Sequence, residues 1–193
     1  MFAELLRQRL GSVAELSPNQ IEKLEQHFLL LQRWNKTLNL TSLHRADEII
    51  ERHYCESIFL GVHLPAKPLH IADVGSGAGF PGFPLAIVRP DCSVSLVESH
   101  QRKGVFLREA TRNLSNANVL SVRVEDVHEN FDWVVCRAVK LSEIEKPVSK
   151  IAVSLAILGG EDHPPASCFT WNEPIRLPWG RRRYLWIGTR RST

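Results

Sequence analysis

The chain has 193 residues, which is enough for one ordinary α/β domain with a modest extension, since domains commonly have roughly 100–200 residues. A formal charge of +3 excludes a uniformly basic nucleic-acid coat, and no apolar run approaches the length needed to span a bilayer. The four cysteines show no C-x-x-C pair and no metal-ligand spacing, which indicates reduced thiols. These features predict a soluble cytoplasmic protein that binds no metal.

Helices are predicted before the first strand. The segment 17–20 has a serine cap, a proline in the first turn and a glutamine three residues after the cap, and apolar residues then recur at helical spacing. A second helix is predicted to begin near Ala46, and two prolines follow it. We therefore predict an N-terminal helical extension over residues 1–65 and a Rossmann-like domain over residues 66–193, packed as one compact unit.

From Leu69 onward, apolar strands alternate with helices. Strands are predicted at 69–74, 93–97, 119–124, 131–137, 154–158 and 184–188, with helices at 83–88 and 101–114. Such alternation is typical of βαβ units and predicts an α/β fold with a mostly parallel, doubly wound sheet. Ligands of such sheets bind at the carboxyl ends of the strands.

The turn after the first strand is rich in glycine. Asp73 ends the strand region, and Gly75, Gly77 and Gly79 follow at alternate positions. Glycine is required where the backbone adopts conformations that a Cβ forbids. A dinucleotide-binding loop would instead have the spacing G-x-G-x-x-G, which disfavours a nicotinamide-dependent oxidoreductase. The pattern favours binding of S-adenosylmethionine, with Asp73 supporting the loop.

Further candidate residues follow the next strands. Glu98 comes directly after the second strand and can accept hydrogen bonds from a ribose diol. Val124 and Glu125 follow the third strand and are candidates for contacts with adenine. Arg137 ends the fourth strand, where the transferred methyl group is expected to lie. Because these strand ends meet at one edge of the sheet, they predict a single site for the methyl donor.

The residues after the fourth strand bear on the methylation chemistry. An Asn/Asp-Pro-Pro-aromatic turn, common in methylation of exocyclic amino groups, is absent there. Cys136 lies close to where a pyrimidine C5 methyltransferase would carry its nucleophile, but it lacks a preceding proline, so a buried filler is the preferred interpretation. Alkylation of a ring nitrogen that carries a lone pair needs only positioning.

Several motifs resemble one known family. They are Trp34-Asn35-Lys36, Asn39-Leu40-Thr41-Ser42, Arg52-His53, Glu56-Ser57-Ile58 and the glycine loop continued by Phe80-Pro81-Gly82. These segments resemble the small-subunit ribosomal RNA guanine-7 methyltransferases, also called the glucose-inhibited division protein B family. The resemblance implies the fold of a class I S-adenosylmethionine-dependent methyltransferase. It also implies transfer of a methyl group from S-adenosylmethionine to ring nitrogen 7 of a guanine in small-subunit (16S) ribosomal RNA.

The resemblance also implies cofactor residues. By position these are Gly75, Phe80, Val124, Glu125 and Arg137. The glycine spacing and the strand ends add Asp73, Gly77, Gly79 and Glu98. The chain departs from the family pattern at Cys136, usually serine, and at Glu56, usually aspartate. The fifth strand usually carries a lysine before its glycine, and the run 156–160 has none. The segment 161–178 does not align, which leaves the RNA-contacting end less defined than the cofactor site.

Two residues are candidates for contacts with the target base. Arg137 is expected to hold the guanine carbonyl edge or a phosphate, and the alternative is a structural ion pair with Glu125 or Asp126. His53 is a second catalytic candidate, although a lone histidine on an apolar helix is more often a packing residue.

The expected partner is small-subunit ribosomal RNA or the small ribosomal subunit. Every charged residue from Ile175 to the end is an arginine, and such an end can hold phosphates without sequence preference. The cations of helix 101–114 are further candidates, although a solvated face explains most of them. A monomer without an obligate protein partner is expected. The alternatives are a methyltransferase for another RNA or a small molecule, and a non-catalytic ribosome-binding protein.

Overall fold

A computed structural model of the protein describes residues 1–162, 164 and 168–191. The strands in this part of the chain are β1 His70–Val74, β2 Ser93–Val97, β3 Ala117–Leu120, β4 Phe131–Arg137, β5 Ala152–Gly159, β6 Phe169–Trp171, β7 Ile175–Arg176 and β8 Tyr184–Arg190. They form one sheet in the order β3-β2-β1-β4-β5-β8-β6, and β7 pairs with β8. The first five strands are parallel, and β8 is antiparallel to β5, β6 and β7.

The helices are distributed along the whole chain. They are α1 Phe2–Leu10, α2 Pro18–Asn35, α3 Ala46–Ile49, α4 Glu56–His63, α5 Gly82–Val88, α6 Gln101–Thr111 and α7 Leu141–Ile151. A π-helix, Ile50–Cys55, joins α3 to α4, and Val124–Asp126 forms a 3₁₀ turn. Within the described residues, no helix is both long and apolar enough to cross a membrane.

The predicted start of α2 is confirmed in detail. Ser17 Oγ accepts a hydrogen bond from the backbone N–H of Gln20 at 3.2 Å, and Gln20 Oε1 accepts one from the backbone N–H of Ser17 at 2.9 Å. This reciprocal pair satisfies amides that have no partner within the helix. The buried face of α2, which includes Leu24 and Phe28, then packs into the main core.

Apolar side chains cover both faces of the sheet. On one face, Ile71 and Leu96 share a core with the helices that precede β1. On the other face, Val74 and Val134 pack in a second core with apolar residues of α7, among them Val148. Burial on both faces is the usual environment of parallel strands and confirms the predicted doubly wound α/β fold.

Two predicted boundaries are wrong. The third strand ends at Leu120 rather than at residue 124, because its partner β2 ends at Val97, which pairs with Leu120. Helix α6 ends at Thr111 rather than at residue 114. The other predicted strands lie within two residues of their observed bounds.

Several elements lay outside the prediction. They are α1, α7, β6 and β7. Helix α7 contains Pro147, a residue that usually interrupts a helix. Its apolar residues Ile144, Val148 and Ile151 nevertheless lie at helical spacing and are buried against the sheet, which stabilises the helix despite the proline.

Candidate cofactor and substrate site

The glycine loop adopts the backbone conformations that its spacing predicts. Gly75, Gly77 and Gly79 have φ angles of +73°, +58° and +87°, a region that L side chains rarely occupy. A Cβ on Gly75 would lie 2.9 Å from Cγ2 of Val139, so this position is closed to a side chain for a second reason. Near Gly77 the closest atom to a Cβ would be the carbonyl oxygen of Gly75, at 3.8 Å, which leaves open space beside the loop.

Asp73 is hydrogen-bonded to the glycine loop and to the start of α5. Its carboxyl group is fully buried, and Oδ2 accepts hydrogen bonds from Ser76 Oγ at 2.6 Å and from the backbone N–H of Gly82 at 2.9 Å. Oδ1 is buried and has no hydrogen-bond partner among the described residues. Burial raises the pKa of Asp73 to about 7, although the hydrogen bonds from Ser76 and Gly82 oppose the shift. These contacts tie Asp73 to the loop through Ser76 and to the first residue of α5 through Gly82, and its role in cofactor binding stays a prediction.

We expect the stability of the protein to depend on the titration of Asp73. Its folded pKa of about 7 lies above the ordinary value of 3.8, so the native state binds the proton more tightly than the unfolded state. This carboxyl group therefore disfavours folding increasingly as the pH rises from about 4 to about 7.

The variant Asp73→Asn tests this expectation, because an amide oxygen can accept the same two hydrogen bonds without titrating. The free energy of unfolding of the variant, relative to the parent, should increase between pH 4 and pH 7, whichever of the two is more stable at the acid end. Urea unfolding at a series of pH values measures this difference. A difference that stays constant over the range would contradict the assignment.

Glu98 holds the loop from the neighbouring strand. Its Oε2 accepts a hydrogen bond from the backbone N–H of Gly77 at 2.9 Å, and its Oε1 accepts one from the backbone N–H of His100 at 2.8 Å. Each carboxylate oxygen can accept a second hydrogen bond. The side chain is thus fixed beside the loop and retains capacity to bind a diol.

Residues at or just after the ends of four predicted strands meet at a cavity of about 200 Å³. Its lining includes Gly75, Val97, Val124, Glu125 and Val139. Val124 is buried and Glu125 is exposed, so the cavity has an apolar wall and a carboxylate at its rim. The structure therefore brings Val124 and Glu125 to the glycine loop, although they lie on a 3₁₀ turn rather than at the end of a strand.

Phe80 packs into the helical side of the site. Its ring is 5% exposed and stacks on His53, with ring centroids 4.5 Å apart and planes at 19°. It also meets the rings of Tyr54 and His27 edge-on. The ring is therefore part of the core, and only the backbone of Phe80 could contact a cofactor.

Arg137 contacts the π-helix rather than the acidic turn. Its Nη1 donates hydrogen bonds to the carbonyl oxygen of Arg52 and, at 2.6 Å, to Nδ1 of His53. In the described part of the chain, no carboxylate lies within 4.0 Å of its guanidinium. The alternative of an ion pair with Glu125 or Asp126 is therefore wrong.

The contact with Arg137 determines the tautomer of His53. A guanidinium can only donate, so Nδ1 of His53 accepts and its proton lies on Nε2. Nε2 then donates to Thr41 Oγ1 at 2.8 Å. Burial, and then the positive charges of Arg137 and Arg52, lower the pKa of His53 to about 2, so the ring is neutral. Both ring nitrogens are used, and His53 joins Arg137 to Thr41.

The Asn-Leu-Thr-Ser motif owes its shape to Asn35. Asn35 Oδ1 accepts hydrogen bonds from the backbone N–H groups of Leu40 at 2.7 Å and Thr41 at 2.9 Å, and its Nδ2 donates to the Thr41 carbonyl oxygen at 3.1 Å. Thr41 is thereby fixed where it meets His53. The motif was part of the family resemblance, but its residues were not predicted to be site residues; the polar side chains at fixed spacing were the available signal.

Glu56 and Arg183 form a buried ion pair that sequence reasoning also missed. Glu56 is 0% exposed, and its carboxylate oxygens accept hydrogen bonds from Arg183 Nε at 3.1 Å and Nη2 at 2.7 Å. Arg183 is therefore not a free surface cation, in contrast to the expectation for the arginine-rich end. Two more of these arginines are engaged: Arg182 pairs with Glu161 at 3.1 Å, and Arg190 donates to a carbonyl oxygen.

Cys136 is a buried filler, as the preferred interpretation predicts. Its side chain is 1% exposed, and burial, reinforced by the nearby Asp73, raises the pKa of the thiol to about 12. A thiol in that environment stays protonated and does not act as a nucleophile. Within the segment 161–178, which does not align with the family, residues 163 and 165–167 lie outside the described residues.

Residues 20–157 match the family model GidB, described as rRNA small subunit methyltransferase G. Similar proteins include the ribosomal RNA small subunit methyltransferase G of Chromobacterium violaceum, 40% identical over 180 residues that cover 91% of this chain and 84% of the relative. The protein of the same name from Aquifex aeolicus is 38% identical over 145 residues, which cover 72% of this chain and 74% of the relative.

Solved structures share the fold. Magnesium protoporphyrin IX methyltransferase from Synechocystis PCC 6803, solved with bound SAM, matches with a TM-score of 0.62 and 16% identity over 92% of this chain and 99% of that chain. The ribosomal protein L11 methylase of Lactobacillus delbrueckii subsp. bulgaricus matches with a TM-score of 0.58 and 16% identity over 73% and 80%. At these identities the similarity confirms the predicted class I methyltransferase fold.

Proposed function

Because the chain belongs to the small-subunit ribosomal RNA methyltransferase G (GidB) family, we propose that it transfers a methyl group from S-adenosylmethionine to ring nitrogen 7 of a guanine in small-subunit ribosomal RNA. Membership of the family makes the chain a methyltransferase. The atom and the base are the finer part of the proposal, and the chemistry of the site supports them.

The cofactor residues of the proposal surround the loop. The backbone of Gly75 and Gly77 would contact the cofactor, Glu98 would bind the ribose, and Val124 with Glu125 would contact adenine. Gly79, also predicted to bind the cofactor, is buried with its N–H and carbonyl oxygen both hydrogen-bonded, so it would shape the turn instead. The open space beside Gly77 fits such a ligand, because no side chain fills it. When bound, the cofactor supplies a methyl group activated by a sulfonium. The chain's own residues hold the two reactants in line, which is a large source of catalysis.

The protonation states of His53 and Cys136 are the observation that favours nitrogen 7 of guanine as the acceptor atom. The ring of His53 is neutral with both nitrogens hydrogen-bonded, and the thiol of Cys136 is buried and protonated. Neither group is poised as a base or a nucleophile. Nitrogen 7 of guanine carries a lone pair and loses no proton on methylation, so it requires neither, whereas carbon 5 of a pyrimidine requires a nucleophile.

Arg137 is the residue that we place nearest the target base. His53 and the Arg52 carbonyl oxygen hold its Nη1, so the plane of the guanidinium is oriented. Burial lowers its pKa to about 10, with Glu56 opposing and Arg183 and Arg52 reinforcing the shift, and the group remains charged at neutral pH. It can therefore donate to the guanine carbonyl oxygen or to the cofactor.

We expect Thr41→Val to slow methyl transfer because it leaves the Nε2 proton of His53 without an acceptor and so loosens Arg137. The loss of one buried hydrogen bond corresponds to about a tenfold fall in kcat/KM. Thr41→Ser retains the hydroxyl and should restore most of the rate. If Thr41→Val and Thr41→Ser have equal rates, the hydrogen bond does not orient Arg137.

Location and assembly belong to the same proposal. We propose that the protein acts in the cytoplasm on ribosomal RNA or the small subunit, because its relatives are named for that RNA. That it acts as a monomer is a separate part of the proposal. The helices of residues 1–65 would form one wall of the site, since His53 and Thr41 lie in this part of the chain. Size-exclusion chromatography with light scattering tests the monomer.

Methyl-labelled S-adenosylmethionine and small ribosomal subunits that lack their modifications provide the direct test. After incubation with the purified protein, the RNA is digested and the labelled nucleosides are separated. Label in 7-methylguanosine is the expected result. Label in 5-methylcytidine would contradict the inert state of Cys136, and bound cofactor without transfer to this RNA would assign the enzyme another substrate.

A further inference from the structure

Positive charge exceeds negative charge around Glu56. Two guanidinium groups lie within 4.0 Å of its carboxylate: Arg183, which binds both oxygens, and Arg52, whose Nε lies 3.7 Å from Oε1. The charges of the same carboxylate and the same two arginines shift the pKa of Arg137, and the neutral His53 adds no charge. Three arginines thus lie around one carboxylate, and among the described residues two of their positive charges have no carboxylate of their own.

Arg52 carries part of this excess charge and has a hydrogen-bond donor that is not used within the described residues. Its Nε is buried and has no hydrogen-bond partner among the described residues, and 3.7 Å to Glu56 is too long for a hydrogen bond. Its side chain is 42% exposed, so the outer part of the guanidinium reaches solvent. The neighbouring Glu51 does not compensate it, because that carboxylate pairs with Arg9 at 2.9 Å.

The cluster lies at the edge of the proposed site. The Arg52 carbonyl oxygen accepts from Arg137, and the next residue, His53, stacks on Phe80 of the glycine loop. Arg52 is part of the π-helix, an element that often occurs at functional sites. Bidentate pairing with Arg183 fixes Glu56, whose carboxylate lies 3.7 Å from Arg52 Nε and whose charge also acts on Arg137.

We propose that Arg52, with Arg137 beside it, binds an oxyanion, and that this oxyanion is a phosphate of the RNA strand adjacent to the acceptor guanine. The inference rests on the proposed function. A guanidinium is well suited to phosphate because its planar fork donates two parallel hydrogen bonds. The carboxylate of the methyl donor offers the same chemistry, and the experiment distinguishes the two sources.

Arg52→Gln is compared with Lys67→Gln, which removes one exposed positive charge before β1, at the opposite edge of the sheet. We expect Arg52→Gln to raise the KM for unmodified small ribosomal subunits about tenfold, which corresponds to one charge-assisted hydrogen bond. The slope of log(kcat/KM) against log salt should become shallower by about 0.7, the value for one contact with single-stranded RNA. In Arg52→Gln the dissociation constant for S-adenosylmethionine, measured by calorimetry, should stay unchanged. In Lys67→Gln the KM, the salt slope and this dissociation constant should all equal those of the parent.

Two results would overturn the proposal. If Arg52→Gln weakens binding of S-adenosylmethionine and not of the subunit, the oxyanion is the cofactor carboxylate. If its KM and salt slope match those of Lys67→Gln, the cluster binds no phosphate. Arg52→Lys, which retains the charge but not the fork, should lie between the parent and Arg52→Gln, and unchanged cofactor affinity shows that the variants are folded. Failure of the parent to methylate the subunit would instead contradict the proposed function.

Discussion

Gly75→Val is expected to abolish binding of S-adenosylmethionine. Gly75 has φ +73°, which a β-branched residue adopts only at high cost, and a Cβ there would lie 2.9 Å from Val139 Cγ2. The loop must therefore move, and its contacts with Asp73 and Glu98 move with it. Calorimetry with the purified variant measures the loss, and unchanged affinity would contradict the assigned site.

Two companion variants separate the causes. Gly75→Ala combined with Val139→Ala removes the close contact but keeps the backbone strain, which costs about 1–2 kcal/mol for a non-glycine residue. This double variant should bind the cofactor more tightly than Gly75→Ala alone and less tightly than the parent. Gly160→Val is the control, because a Cβ at Gly160 meets no atom within 4 Å and its φ is not positive.

Glu56→Leu is expected to cause the largest loss of stability among the variants considered. The substitution leaves Arg183, whose side chain is 17% exposed, without its carboxylate. Removing one partner of a buried ion pair costs about 3–5 kcal/mol because the remaining charge is buried without compensation. The free energy of unfolding from urea titration measures the effect.

The double variant Glu56→Leu with Arg183→Met is the control for this interpretation. Replacing both charges by apolar groups of similar volume is often neutral, so most of the lost stability should return. Thermodynamic coupling between the two positions then gives the pair's own contribution. If Glu56→Leu alone is as stable as the parent, the pair does not anchor the C-terminal strands to α4.

The features that depend on neighbouring residues could be predicted from the sequence. The alternating glycines correspond to three positive φ angles, and the serine–glutamine pair forms a reciprocal cap. Strands β2 and β4 have their predicted bounds, because continuous apolar runs identify strands buried on both faces. Each of these signals is complete within about ten residues, and no distant partner is needed to interpret it.

The features that depend on distant partners were decided by the tertiary structure. Strand β3 stops where β2 stops, and α7 persists through Pro147 because its apolar face is buried. Arg137 ends β4 as predicted, but its partner His53 is 84 residues away, and Glu56 meets Arg183 across 127 residues. A buried charge needs a partner, but packing alone selects which of several carboxylates, carbonyl groups or imidazoles provides it.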